Sequence, residues 1–261
     1  MTIFLIYFIL FLILFYILFL SIYKFNLKKT HEVFSNCNKY TAIIVEPRKH
    51  KALEFVLENF LENLSNEWDF IICHGNQNES FARDIINTKL VDNSSRITLI
   101  NLNVENLTIQ DYNNLLVSEQ FHSYIPTEIF LVFQTDTIIC PEYKSYINNY
   151  LQYDYVGAPW ENINSEVGNG GLSLRRKSKM LEIIRNCTYN GDINEDVYFS
   201  KACPEIYRNI PDSQNASHFS VEMVYEDKSF GVHKPWGHLG DITDLKKQFC
   251  KDYDKLVELN N

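Results

Sequence analysis

The sequence contains no CxxC pair and no cysteine–histidine cluster at zinc-site spacing; its six cysteines, at 37, 73, 140, 187, 203 and 250, are scattered along the chain. That distribution fits neither a zinc ribbon nor a small disulfide scaffold. Cys73 and Cys140 each close an apolar run, where a reduced, buried thiol commonly sits, and the six are read as structural thiols without bridges. Glycine and proline are also scarce, nine and seven in 261 residues, with no internal repeat or low-complexity tract. Collagen-like and disordered organisations are thereby excluded. Basic charge is short: 24 Lys and Arg against 33 Asp and Glu leave a formal charge of −9. With no long basic stripe to offset it, nucleic acid is not an expected partner, and a phosphorylated ligand must be met by local features.

What is present begins with an unbroken apolar run from Ile3 to Leu20. At ~1.5 Å rise per residue, a helix continuing to Tyr23 crosses a hydrocarbon core of ~30 Å. The run lacks the basic start and the small residues of a cleaved signal, so residues 1–23 are expected to be an uncleaved single-pass anchor, followed by a juxtamembrane stem over residues 24–39. Lys24, Lys28 and Lys29 flank its C-terminal side and by the positive-inside rule favour a cytoplasmic domain. Sequons at Asn78, Asn93, Asn106, Asn186 and Asn215 are thin evidence for the opposite side, being little more than this Asn-rich composition produces by chance.

From residue 40 onward short apolar runs alternate with longer amphipathic ones, and no linker separates the halves, so residues 40–261 read as one domain. Tyr40 to Val45, Phe70 to Cys73, Ile97 to Leu102 and Glu128 to Phe133 read as strands, the last apolar enough to be buried on both faces. Between them, Lys51 to Leu64 places Leu53, Val56, Leu57, Phe60, Leu61 and Leu64 on one helical face, and Ser80 to Leu90 and residues 108–121 also read as helices. Such alternation predicts an α/β fold: a mostly parallel sheet flanked by helices, with ligands beyond the carboxyl ends of its strands.

Asp136, in Gln134-Thr135-Asp136 after the fourth strand, should therefore stand in a ligand crevice. Gly168, Gly170 and Gly171 around Asn169 form a backbone that a flat ligand can approach, or else a hairpin turn. Glu195 and Asp196 open an apolar helix, where acids either favour the helix dipole or accept a proton from a hydroxyl. His233 ends a short strand over Ser229 to Val232 as a core residue or a metal ligand, with Lys234 beside it to neutralise phosphate.

The ordered strings YDYVGAPW (153–160), VGNGGLSLRR (167–176), NEDVYFS (194–200) and FGVHKPWGH (230–238) resemble a family of predicted glycosyltransferases filed as a domain of unknown function and found in giant viruses, algae, fungi and bacteria. The order of elements is similar, more distantly, to GT-A glycosyltransferases. The resemblance implies a GT-A-like, Rossmann-type domain that moves a sugar from a nucleotide diphosphate donor to a hydroxyl of a glycan, protein or lipid acceptor with inversion. It implies Mn²⁺, or Mg²⁺, held by Asp136 and His233, with Gln134 departing from the first acid of a DxD motif. It further implies a base at Asp196 or Glu195 and donor contacts at Glu46, Arg48, Gln134, Thr135, Asn169, Gly170, Gly171 and Lys234, with charge from Arg175 or Arg176 at the phosphates. Trp160 and Trp236 are candidates for stacking on a sugar face. The anchor would then tether the enzyme to a secretory-type membrane of a host cell or virion. The Gln134 departure leaves open an alternative, a catalytically silent, membrane-tethered module that binds glycans or nucleotide sugars.

Overall fold

The computed structural model describes residues 38–160 and 167–261. The expected anchor and nearly all of the stem lie outside the described residues, and among those described no helix is long and apolar enough to cross a membrane.

A six-stranded sheet forms the centre of the domain. Its strands are β1 (Tyr40–Val45), β2 (Trp68–His74), β3 (Ile97–Asn101), β4 (Ile129–Phe133), β6 (Tyr155–Val156) and β7 (Ser173–Arg176), in the order β3-β2-β1-β4-β7-β6. The first four are mutually parallel, and β7 and β6 add antiparallel at the edge beyond β4. The four predicted strands therefore stand within one or two residues of their expected bounds. The continuous apolar character of β1 follows from burial on both faces: Ala42 and Ile44 join one core, Ile43 and Val45 the other. Helix Leu53–Asn63 covers the first face, stacking Phe60 on Phe133 with centroids 4.1 Å apart, and each fully buried phenylalanine contributes on the order of 2 kcal/mol. The helix expected over residues 108–121 is instead two, Ile109–Leu116 and Glu119–Tyr124. Ser118 stops the first and caps the second, its hydroxyl accepting from Phe121 N.

A smaller sheet, β5-β9-β8, comprises β5 (Thr137–Ile139), β9 (Gly231–His233) and β8 (Ser220–Val221). The buried Asn59 of helix Leu53–Asn63 ties β5 down by both backbone groups of Ile139, accepting from its N–H at 2.7 Å and donating to its carbonyl at 3.0 Å. The reading of six unbridged thiols is corrected: Cys140 pairs with Cys250 across 110 residues, and Cys187 pairs with Cys203. Sequence spacing could not show these pairs because tertiary folding brings the partners together. Cys73, buried in β2, is the free thiol among the described residues, and burial pushes its pKa up to about 12.

Candidate functional site

Parallel strands deliver their carboxyl ends to one edge of the sheet, and an antiparallel strand begins at that same edge. Val132 of β4 pairs with Ser173 of β7, so the chain entering β7 through Gly170 and Gly171 lies beside the turn leaving β4 through Gln134, Thr135 and Asp136. Thr137 closes that turn, its N–H and its hydroxyl both donating to the Gln134 carbonyl. Together these segments line a cleft of about 370 Å³ that also takes in Glu46, Arg48, Asn169, Glu195, Asp196 and His233. Eleven of the predicted site residues therefore meet in one place. Lys234, Trp160 and Trp236 are not among the lining residues. Trp236 packs against Tyr253 and Trp160 lies under the Lys201 ammonium, so neither is placed as expected for stacking on a sugar in the cleft.

Asp136 and His233 lie 97 positions apart in sequence and are joined by the pairing of β5 with β9, which sets Thr137 opposite His233. Asp136 Oδ1 lies 3.5 Å from His233 Nε2 and is otherwise a buried oxygen without a hydrogen-bond partner. Burial favours the neutral acid, yet the imidazole and Lys234 outweigh it and hold the carboxyl below its ordinary range. For His233, burial is likewise opposed by Asp136 and Glu222, which raise its pKa to about 10. Gly171 backs the imidazole so closely that a Cβ there would lie 2.2 Å from Nε2. An unpartnered carboxylate oxygen, an adjacent imidazole nitrogen and a glycine cradle suit a divalent cation with mixed oxygen and nitrogen ligation, more natural for Mn²⁺ than for Mg²⁺.

The two acids of the Asn-Glu-Asp string have separate fates. Glu195 accepts two bonds from Arg175, at 2.6 and 2.9 Å, in a pair almost wholly out of solvent. The Arg175 guanidinium also lies over Tyr155 and Phe199, so the expectation that it meets phosphates is corrected, because its charge is spent inside the domain. Arg176 bonds Asp154. Asp196 has no ion-pair partner among the described residues; it accepts from Val197 N at 2.7 Å and Gly170 N at 3.2 Å. Burial, then the negative Glu195 beside it, push its pKa up to about 6.

At the other wall the buried Glu46 accepts from the Arg48 backbone N–H, Nε and Nη2, leaving the guanidinium more than half exposed at the cleft. Asn78 supports this turn, donating to the carbonyls of Glu46 and Arg48 and accepting from Gly75 N. Fully buried and bonded at both ends of its amide, Asn78 is a scaffold residue in the folded domain despite its sequon. Gln134 donates to Tyr112 Oη at 3.0 Å, a neutral contact in place of an acid. Sequence reasoning missed Tyr112, Asn113 and Asn194 in the cleft and Glu222 behind His233. Tyr112 and Asn113 lie on a helix outside the quoted strings, Asn194 reads in sequence only as the residue before the acid pair, and Glu222 follows a two-residue strand that only the sheet register reveals.

The structure thus defines a mixed α/β domain with a central, mostly parallel sheet, resembling the GT-A glycosyltransferases. Among solved structures, galactosyltransferase LgtC in complex with donor and acceptor sugar analogs matches at TM-score 0.52 and 11% identity, over 84% of this chain and 94% of that one. Mannosyltransferase PcManGT from Pyrobaculum calidifontis, in complex with GDP-Man and Mn²⁺, matches at TM-score 0.48 and 14% identity, over 69% and 56%. HddC from Yersinia pseudotuberculosis matches at 0.44 and 14%, over 66% and 88%. At such identities the likeness to LgtC speaks for the fold alone. No curated protein matches the sequence. Residues 96–233, just over half of the chain, match the family described as Protein of unknown function (DUF5672), and the chain belongs to that family.

Proposed function

We propose that this protein is a metal-dependent glycosyltransferase that moves a sugar from a nucleotide diphosphate donor to a hydroxyl acceptor with inversion. The observation that carries the reading is the meeting, in one cleft, of the unpartnered Asp136 oxygen beside His233 with the acid of raised pKa, Asp196. Asp136 and His233 would hold the cation, whose chemistry is to neutralise the charge that gathers on a departing nucleoside diphosphate. Glu46 and Arg48, fixed by their mutual bonds, border the donor end of the cleft. Asp196 then accepts the proton of the attacking hydroxyl: a base poised near neutral pH is ionised when needed and still basic enough to help. Glu195 does not share that role, since each of its oxygens accepts from the buried Arg175 guanidinium, which holds the carboxylate in place; it fixes the helix start that presents Asp196.

The test is transfer and donor hydrolysis by the full chain with a panel of UDP- and GDP-sugars, with and without Mn²⁺. Activity should require the cation and vanish in Asp136→Ala. Turnover unchanged by that substitution would refute the metal assignment. Metal-linked nucleotide-sugar binding without turnover would instead favour the silent binding module, for which the neutral Gln134–Tyr112 contact is the structural argument.

A further inference from the structure

The small sheet brings one polar side chain from the end of each of its three strands to a common line. β8 runs parallel to β9 with Val221 opposite Val232, so the next residue of each strand's chain, Glu222 and His233, are neighbours. β5 runs antiparallel on the other side with Thr137 opposite His233, and Asp136 precedes it. The imidazole therefore stands between two carboxylates: Nε2 lies 3.5 Å from Asp136 Oδ1, and Nδ1, a buried nitrogen not aligned in a hydrogen bond, lies 3.2 Å from Glu222 Oε1 as its nearest acidic oxygen.

Glu222 is an expensive residue at this place. Its side chain is 5% exposed, and among the described residues its ionic neighbours are imidazoles alone: His233, and the partly exposed His238 at 3.7 Å. Its Oε2 is buried without a hydrogen-bond partner. A buried carboxylate with no lysine or arginine beside it costs stability, so its presence calls for another reason. A carboxylate oxygen accepts, so Glu222 beside Nδ1 favours the proton on that nitrogen, the tautomer in which Nε2 is the nitrogen available to a cation. Gly171, packed against Nε2, leaves the ring little freedom to turn.

We infer that Glu222 is a positioning residue for a divalent cation site formed by Asp136 and His233, holding the imidazole by Nδ1 so that Nε2 is directed at the cation. The assignment rests on the metal-dependent reading of the cleft. Metal-bound histidines generally have the second ring nitrogen held in this way, and loss of that partner weakens metal binding about 10–100-fold.

The experiment measures Mn²⁺ affinity of the full chain by the electron paramagnetic resonance signal of free Mn²⁺, beside far-ultraviolet circular dichroism and the unfolding midpoint of the metal-free protein. Glu222→Ala should lower the affinity about 10–100-fold while the metal-free chain keeps its fold, and Glu222→Gln, whose amide oxygen can still accept from Nδ1, should recover part of the loss. A role in folding alone would move the unfolding midpoint without moving the affinity. Should Glu222→Ala fail to fold, Glu222→Leu, which fills the space but offers Nδ1 no acceptor, carries the same comparison with wild type. Affinity within about threefold of wild type in the folded Glu222→Ala or Glu222→Leu chain overturns the assignment, provided Asp136→Ala has lost binding. If Asp136→Ala binds Mn²⁺ as wild type does, the metal reading falls and Glu222's role falls with it.

Discussion

Exchanging Asp196 for Asn separates the cost of this side chain from its use. In the folded domain the Asp196 carboxyl titrates at about 6 against an ordinary 3.8, because it is buried and stands beside Glu195. A shift of about two units at ~1.4 kcal/mol each means that holding it ionised costs on the order of 3 kcal/mol. The sign follows from the raised folded pKa: the penalty is absent below pH ~3.8, grows as pH rises toward about 6, and is complete above that value. Asn escapes the penalty and can still accept from Val197 N, but its NH₂ would face the Gly170 N–H, forfeiting a bond of about 1 kcal/mol. Asp196→Asn should therefore be about 2 kcal/mol more stable than wild type near neutral pH and lose that advantage in acid, as read by urea unfolding in both conditions. The same variant should lose ~10²–10⁴-fold in transfer rate, and the wild-type rate should fall about tenfold per pH unit below the Asp196 pKa. A variant less stable than wild type at neutral pH would refute the burial argument, and a flat rate profile through that range would remove Asp196 as the base.

Two further outcomes follow from the packing. Arg175→Ala strands Glu195 as an unpaired buried charge and should cost about 3–5 kcal/mol in urea unfolding; a loss below about 1 kcal/mol would mean that water or another cation reaches Glu195. Reduction of the Cys140–Cys250 bridge, which closes a loop of about 110 residues, should lower stability by up to about 4–5 kcal/mol, with peptide mapping under non-reducing conditions showing both bridges and an unalkylated Cys73 in the native chain. Free thiols at Cys140 and Cys250 in protein purified without reductant would contradict that pairing. Bridges of this kind persist in oxidising compartments, so we expect the domain to fold in one, against the side that the flanking lysines favour, and protease protection on microsomes reads the side.

Much of the central sheet was legible because local pattern encodes it. The apolar runs at Tyr40–Val45 and Ile129–Phe133 can be satisfied only by strands covered on both faces, and the spacing of Leu53, Val56, Leu57 and Phe60 only by a helix lying on one of them. The carboxyl-end rule then placed Asp136 in a cleft without any knowledge of its partners. Residues 108–121 misled because one helical period runs through Val117, and only the capping of Phe121 N by Ser118 shows the break. The assignment of Arg175 misled for another reason: an arginine in a motif signals charge, and nothing local shows that Glu195, twenty positions on, consumes it.

By itself, then, the sequence determined the alternation of strands and helices, the edge of the sheet where ligands belong, and the residue types gathered there, because these depend on periodicity and on strand direction. Tertiary structure alone decided which groups are spent and which are available. Pairing of β5, β9 and β8 puts His233 between Asp136 and Glu222, and folding of the Gly170 loop onto the helix start gives Glu195 an ion pair and leaves Asp196 without one among the described residues. Protonation and metal affinity depend on distances of a few ångströms between groups far apart along the chain. Contacts of that kind become fixed only when the chain has closed on itself.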